Sequence, residues 1–334
     1  MDILLSEEVL PVIFAALMGL AVLIYVILDG YDLGVGILMY YADPEEKDKM
    51  IASIGPFWDA NETWLVLAVG IMLVAFPKAH AIVMTTLYLP VFVMLIGLIL
   101  RGVAFDFRTK VKSQYKYYWN RVFIIGSLLT SLSQGFMLGF YIFGLKDTNY
   151  HYAFAFLSAL CVAAAYIFVG SAWLIMKTEY SLQKKAVNWA RNSLFIMSIG
   201  IAMVSLSTPI ISERIFTRWF SFPDFILLSN IPIVTTITIT ATYYLLKKMP
   251  FEQDRYSWVP FIAAIIIFLM CFNGLAYSFF PYIIPGRLLI NDAASDIESL
   301  RVIFYGVVIV LPCIIGYTIF SYKVFWGKVK ILKY

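Results

Sequence analysis

The sequence has little histidine, cysteine and charge, and each shortage excludes a class of chemistry. Of its 334 residues two are His, three are Cys and 14% are charged. A di-iron carboxylate bundle needs several Glu-x-x-His pairs, and haem iron is most often held by His. His80 and His151 fall in connections predicted to be external and exposed, and no two cysteines have metal-ligand spacing. We therefore expect no metal and no haem to be ligated by this chain.

What the chain has in excess is apolar surface. Hydrophobic residues make up 62% of the sequence, and the mean hydropathy is +0.84. A soluble protein of this size could not cover so many apolar side chains. Apolar runs of about 20 residues, enough to cross a hydrocarbon core of about 30 Å, predict an all-α integral membrane protein. Nine transmembrane helices are expected, at 9–40, 54–76, 80–104, 120–144, 152–176, 192–212, 225–246, 258–283 and 302–322.

The basic residues predict how the chain is oriented. Most of the 25 Lys and Arg residues fall in alternate connections between these spans and in the C-terminal tail. The positive-inside rule then places the N-terminus outside and the C-terminus in the cytoplasm. Because topology and contacts with anionic lipid explain the positive charge, no nucleic-acid partner is expected. Connections are short, so residues 1–334 are expected to form a single polytopic membrane domain.

Four carboxyl groups lie inside predicted spans, with Asp29 and Asp32 on the first helix and Asp59 and Glu62 on the second. A charged side chain in hydrocarbon costs at least ~3 kcal/mol, and the i,i+3 spacing places each pair on one helix face. Both pairs are predicted in the cytoplasmic half of the membrane, with Asp59 about 7–8 Å along its helix. Burial beside a like charge favours protonation, which a proton relay requires. The structural alternative is that Asp32 and Glu62 lie in a hydrated interfacial zone or cap a helix break, and it applies above all to Asp32.

Other residues near the acids have structural explanations. No Lys or Arg is predicted deep within a span, and Arg101, placed at the cytoplasmic end of the third span, is the nearest cation. Trp58 fits an interfacial aromatic belt, and Asn61 is expected to hydrogen-bond across helices. The Gly30-x-x-x-Gly34 spacing permits close helix approach.

Four segments carry a family resemblance. They read YVILDGYDLGVG at 25–36, IGPFWDANETWL at 54–65, RGVAFDFR at 101–108 and, more weakly, WLIMKTE at 173–179. The first three, in this order and spacing, resemble the signatures of subunit II of cytochrome bd-type quinol oxidases. The similarity is dense over residues 9–180 and rests on hydropathy beyond them.

The chain departs from the family pattern at three positions within these segments. The family often has Phe where Tyr31 stands, Gly where Ala60 stands and Glu where Asp106 stands. None of these departures removes one of the four acids.

The resemblance implies an architecture and a partner. The nine helices would form two four-helix bundles and one peripheral helix, with the first bundle at about 9–144 and the second bundle together with the last helix at about 152–326. The partner, subunit I, would hold two haems b and one haem d, oxidise quinol and reduce oxygen to water. Subunit II would be haem-free and not catalytic by itself. It would be a multi-pass protein of a bacterial or archaeal cell membrane. A structural quinone and a small single-helix accessory subunit are left open.

Three hypotheses about function follow. In the first, the subunit conducts cytoplasmic protons to the partner's oxygen-reducing haem through Asp29, Asp59, Glu62 and Asp32. Supporting residues would be Trp58, Asn61 and Arg101. The complex would be electrogenic but would not pump protons. In the second, the subunit is mainly a scaffold that binds a quinone or lipid. The third is an independent proton-coupled transporter. The sequence leaves open whether Asp29 and Asp59 share one proton route, and which quinone is used.

Overall fold

The computed structural model describes residues 6–329, and its secondary structure is almost wholly helical. Helices suit a chain that crosses a membrane, since they pair backbone N–H and C=O groups within one segment. In chain order they are α1 (Leu10–Leu38), α2 (Pro44–Ile54), α3 (Trp58–Ala75), α4 (Pro77–Thr86), α5 (Tyr88–Lys110), α6 (Lys116–Ile142), α7 (Asn149–Lys177), α8 (Tyr180–Ile211), α9 (Glu213–Phe220), α10 (Asp224–Lys248), α11 (Val259–Phe279), α12 (Ile290–Ala293) and α13 (Ile297–Val324).

Nine helices in the described part of the chain are long and apolar enough to cross a membrane, which confirms the predicted number. They are α1, α3, α5, α6, α7, α8, α10, α11 and α13. A small antiparallel hairpin of β1 (Tyr282–Ile284) and β2 (Leu288–Leu289) between α11 and α12 is the exception to the all-α prediction within residues 6–329.

The predicted start of the second span is wrong. The sequence places it at residue 54, whereas α2 ends at Ile54 and α3 begins at Trp58. Pro56 lies between the two helices and has no N–H to continue the hydrogen-bond ladder. Asp59 is therefore the second residue of its helix, at the very end of the span and not 7–8 Å along it.

The predicted third span, 80–104, is also wrong. The structure divides this region into α4, which ends at Thr86, and α5, which begins at Tyr88. Pro90 then lies in the first turn of α5, where a proline is tolerated, and not in a helix interior. Because α5 continues to Lys110, the residues near 101 move from the end of a span to its middle.

Helix α1 lies at the centre of the molecule and contacts α3, α6, α7 and α11. Its contact with α7 joins backbone to backbone. A Cβ atom added to Gly34 would lie 1.8 Å from the carbonyl oxygen of Tyr166, and one added to Gly170 would lie 2.6 Å from the amide nitrogen of Val35. The close approach predicted from the Gly30 and Gly34 spacing is confirmed.

Helix α13 is the least enclosed of the long helices, since none of its most apolar window is buried. Its C-terminal end makes specific contacts with the rest of the protein. The ring of Tyr322 stacks on Phe57 at a centroid distance of 4.6 Å, and Lys177 Nζ donates to the carbonyl oxygen of Phe325 at 2.8 Å. Just beyond the helix, Lys328 pairs with Asp254.

The short helix α2 is fixed by its own first turn and by α8. Asp43 caps it, and the Asp43 backbone N–H donates to Glu46 Oε2 at 3.0 Å in a capping box. Lys185 Nζ lies 2.7 Å from Asp43 Oδ2 and 2.8 Å from Glu46 Oε2. The hydrogen bond and charge of Lys185 lower the pKa of Asp43.

Candidate functional site

A buried guanidinium joins three of the long helices. Arg101 Nη2 on α5 donates to Asp29 Oδ1 on α1 and to Glu62 Oε1 on α3, each at 2.6 Å. Arg101 is 1% exposed and Asp29 is completely buried. The expectation that the acids lack a buried cationic partner is therefore wrong. It failed because the third span was placed about two turns too early, which put Arg101 at the end of a helix.

The four acids run from the interior to the surface. Asp29 and Asp32 are completely buried, the side chain of Glu62 is 31% exposed, and Asp59 is exposed in the isolated chain. Asp59 precedes Glu62 by three residues, so the two lie one helical turn apart on α3. The structure thus brings Asp29, Asp32, Glu62 and Arg101 into one cluster, with Asp59 at its exposed edge.

Asn61 links Asp32 to the same cluster. Its Nδ2 donates to Asp32 Oδ2 and to the hydroxyl oxygen of Tyr31, both at 2.9 Å, and reaches the carbonyl oxygen of Leu28 at 3.3 Å. All three acceptors are on α1, whereas Asn61 is on α3. The predicted cross-helix hydrogen bond is confirmed. Trp58, one turn earlier, is half-buried and packs on Phe105 with ring centroids 4.8 Å apart.

The cluster has more acid than base. It combines the carboxyl groups of Asp29, Asp32 and Glu62 with the guanidinium of Arg101. Full ionisation would leave two negative charges without a compensating cation, which is costly in a buried site. Within residues 6–329, Asp29 Oδ2, Asp32 Oδ1 and Arg101 Nη1 are buried and have no hydrogen-bond partner. Such a site can hold protons and water between its groups.

A second line of polar side chains continues from the cluster into the interface of α1, α6 and α7. Gln134 Nε2 donates to the hydroxyl oxygen of Tyr25, and the hydroxyl of Tyr166 donates to Gln134 Oε1, both at 2.6 Å. Tyr25 lies one turn before Asp29 on α1. Tyr25 is not among the residues predicted from the sequence, although the helical spacing of Tyr25, Asp29 and Asp32 is a signal that identifies it.

The described residues form no cluster of metal ligands. No group of three or more His, Cys, Asp or Glu side chains in residues 6–329 is placed to hold a metal ion. His151, expected to be exposed, is only 7% exposed; its ring packs on Phe143 and its Nδ1 is bonded to Thr148. The cavity of about 270 Å³ between α1, α3 and α13 is lined by aliphatic residues, glycine and Trp64, with no axial ligand for haem iron.

These features define a class: a polytopic α-helical membrane protein with a buried network of acids around one guanidinium. Comparison with known proteins gives the family. The sequence profile described as "Cytochrome bd terminal oxidase subunit II" matches residues 10–325. The chain belongs to this family, whose members are subunits of respiratory terminal oxidases.

Individual relatives agree with that assignment, and a solved structure shares the fold. The chain is 28% identical to cytochrome bd ubiquinol oxidase subunit 2 of Bacillus subtilis over 329 residues, covering 90% of this chain and 91% of the relative. It is 23% identical to cytochrome bd-I ubiquinol oxidase subunit 2 of Escherichia coli K12, covering 98% and 97%. Its fold is similar to a chain of the bd oxidase from Geobacillus thermodenitrificans, with a TM-score of 0.68, 10% identity and coverage of 94% and 98%.

Proposed function

We propose that this chain is the haem-free subunit II of a bd-type complex that couples quinol oxidation to the reduction of oxygen to water. Its relatives from Bacillus subtilis and Escherichia coli are named as subunits of ubiquinol oxidases. The scarcity of histidine and the apolar lining of the cavity support placing two haems b and one haem d in subunit I, which this chain stabilises. When bound there, the haems would carry electrons from quinol to oxygen.

The proposal includes an orientation in the membrane. The basic connections alternate along the chain, which supports an external N-terminus and a cytoplasmic C-terminus in a bacterial or archaeal cell membrane. Helices α1, α3, α5 and α6 form the first bundle, and α7, α8, α10 and α11 form the second, with α13 peripheral. Protons for water then come from the cytoplasm, so the complex is electrogenic without pumping protons.

One observation carries the proton-conducting role: a line of acids leads from the exposed Asp59 through the half-exposed Glu62 to the buried Asp29. Arg101 bonds both Glu62 and Asp29, so it keeps the two carboxyl groups within one hydrogen-bonded unit. Asp32 adds a further buried carboxyl group beside them. In this role the chain accepts protons at Asp59 and passes them inward towards the interface with subunit I.

The test uses the assembled complex with Asp29→Asn and Asp59→Asn. The amide keeps the shape of the side chain but cannot release a proton, so quinol-driven oxygen consumption should fall about tenfold or more, equivalent to ~1.4 kcal/mol of barrier. Haem content, read from the absorption spectrum, should stay unchanged. Glu298→Gln is the matched control, because Glu298 is 79% exposed at the far end of α13.

A mainly structural role is the second candidate, and the geometry of Arg101 favours it. A guanidinium that bonds α1 and α3 from α5 would stabilise the packing of these helices whether or not protons pass. In this case a quinone or lipid would be bound without taking part in turnover. Unchanged oxygen consumption in a fully haem-loaded Asp29→Asn complex would favour the scaffold and exclude the relay for that residue.

A further inference from the structure

The amide of Asn61 belongs to a closed ring of three hydrogen bonds. Asn61 Nδ2 lies 2.9 Å from the hydroxyl oxygen of Tyr31, the hydroxyl groups of Tyr31 and Tyr322 are 2.7 Å apart, and Tyr322 returns to Asn61 Oδ1 at 3.2 Å. The ring joins α1, α3 and α13. Tyr31 and Asn61 are completely buried and Tyr322 is half-buried, so water competes little for these bonds.

The directions of the three bonds follow from the groups themselves. An amide oxygen only accepts, so the single hydroxyl hydrogen of Tyr322 points to Asn61 Oδ1. The hydroxyl oxygen of Tyr322 must then accept from Tyr31, whose own oxygen accepts from Asn61 Nδ2. Every member donates once around the ring, an arrangement in which hydrogen bonds strengthen one another.

The neighbours of Asn61 on α1 decide which atom it presents to Asp32, and the ring holds the amide plane in that position. The carbonyl oxygen of Leu28, 3.3 Å from Nδ2, only accepts, so the amide nitrogen and not its oxygen faces α1, and its second N–H is directed to Asp32 Oδ2 at 2.9 Å. Asp32 Oδ2 is therefore an acceptor. The other oxygen, Asp32 Oδ1, is buried and has no hydrogen-bond partner within the described residues.

We infer that Tyr322 is a positioning residue for Asp32, acting through Asn61, and that the proton Asp32 exchanges is carried on Oδ1. The inference deepens the proposed function, because it states where the proton sits on one of the acids of the pathway. It concerns this chain in particular. Tyr31 stands where other members of the subunit II family often have Phe. With Phe at that position the ring of hydrogen bonds could not close.

An infrared spectrum of the purified complex tests the inference. The carbonyl band of protonated Asp32 is identified by its loss in Asp32→Asn. In Tyr322→Phe the amide of Asn61 loses the hydroxyl donor that holds Oδ1, so its N–H bond to Asp32 Oδ2 weakens and the band should move to higher wavenumber. Tyr31→Phe, which opens the ring but leaves the Tyr322 hydroxyl on Asn61 Oδ1, should shift the band in the same direction by a smaller amount. Tyr317→Phe, which alters a 63% exposed tyrosine on the same helix, should leave the band in place.

Two results would overturn the inference: an unmoved band in complexes of both ring variants that retain their haems, or no band in the unaltered protein that Asp32→Asn removes. If Tyr322→Phe does not assemble, Tyr31→Phe decides, since it introduces the residue the family often has there. Turnover of Asp32→Asn separately tests the proton pathway. A shifted band with unchanged turnover would retain the ring and reject the pathway through Asp32.

Discussion

Replacing Arg101 with Gln removes the guanidinium that bonds Asp29 and Glu62 from the middle of α5. Arg101 and Asp29 are 1% and 0% exposed, and their charged atoms are 2.6 Å apart. Losing one partner of such a buried pair costs about 3–5 kcal/mol, because the remaining charge stays buried without compensation. The side chain of Glu62 is 31% exposed, so its ion pair with Arg101 is partly solvated. Glu62→Gln leaves Arg101 paired with Asp29 and should therefore cost about 1 kcal/mol or less.

The assay is denaturation of the purified complex in mild detergent, followed by helical circular dichroism and by haem absorbance. Arg121→Gln is the matched control, since Arg121 is exposed and contacts the ring of Tyr117 at 4.4 Å, an interaction of about 0.5–1 kcal/mol. The double variant Arg101→Gln with Asp29→Asn should be more stable than Arg101→Gln alone, because both buried charges are gone. The reasoning is refuted if Arg101→Gln is as stable as Arg121→Gln, or if the double variant is less stable than the single one.

Two further predictions concern packing and pH. Gly34→Ala should lower the amount of assembled protein, because its Cβ would lie 1.8 Å from the carbonyl oxygen of Tyr166 and overpacking costs about 1–3 kcal/mol or more. Gly316→Ala is the control and should leave the amount unchanged, because no atom lies within 4 Å of its added Cβ. Equal yields of the two variants on a membrane immunoblot would contradict the prediction. The lowered pKa of Asp43, caused by the hydrogen bond from Lys185, means that this contact stabilises the fold above the ordinary aspartate pKa of about 4 and is lost as pH falls through the lowered folded value. Asp43→Asn should therefore flatten the acid limb of a plot of thermal stability against pH, and an unchanged limb would reject the assignment.

Much of the fold could be predicted because the membrane imposes it. The number of long helices, the close contact at Gly34 and the cross-helix bond of Asn61 all follow from hydropathy and from the cost of unpaired polar groups in hydrocarbon. Asp29 was recognisable for the same reason, since a carboxyl group in an apolar run needs an explanation. These signals are local in the sequence and need no knowledge of which helices are neighbours.

The partners of the acids could not be predicted in the same way. Arg101 was misplaced because hydropathy runs smoothly across residues 80–104 and does not mark the break at Leu87; the first-turn preference of Pro90 is the signal that could have corrected it. The contact between Tyr31 and Tyr322 joins residues 291 positions apart. Nothing in either local segment indicates the other, so only the packed structure reveals the ring.

The attachment of the last helix by its C-terminal end has a consequence for biosynthesis. Tyr322 is made after the helices that carry Tyr31 and Asn61, so during translation Asn61 Oδ1 lacks its hydroxyl donor until α13 is inserted. A product terminated before α13 would have an unpaired polar group between α1 and α3, beside the buried Asp29 and Asp32. Such a product would differ from the finished protein in leaving the amide oxygen of Asn61 without its hydrogen-bond donor.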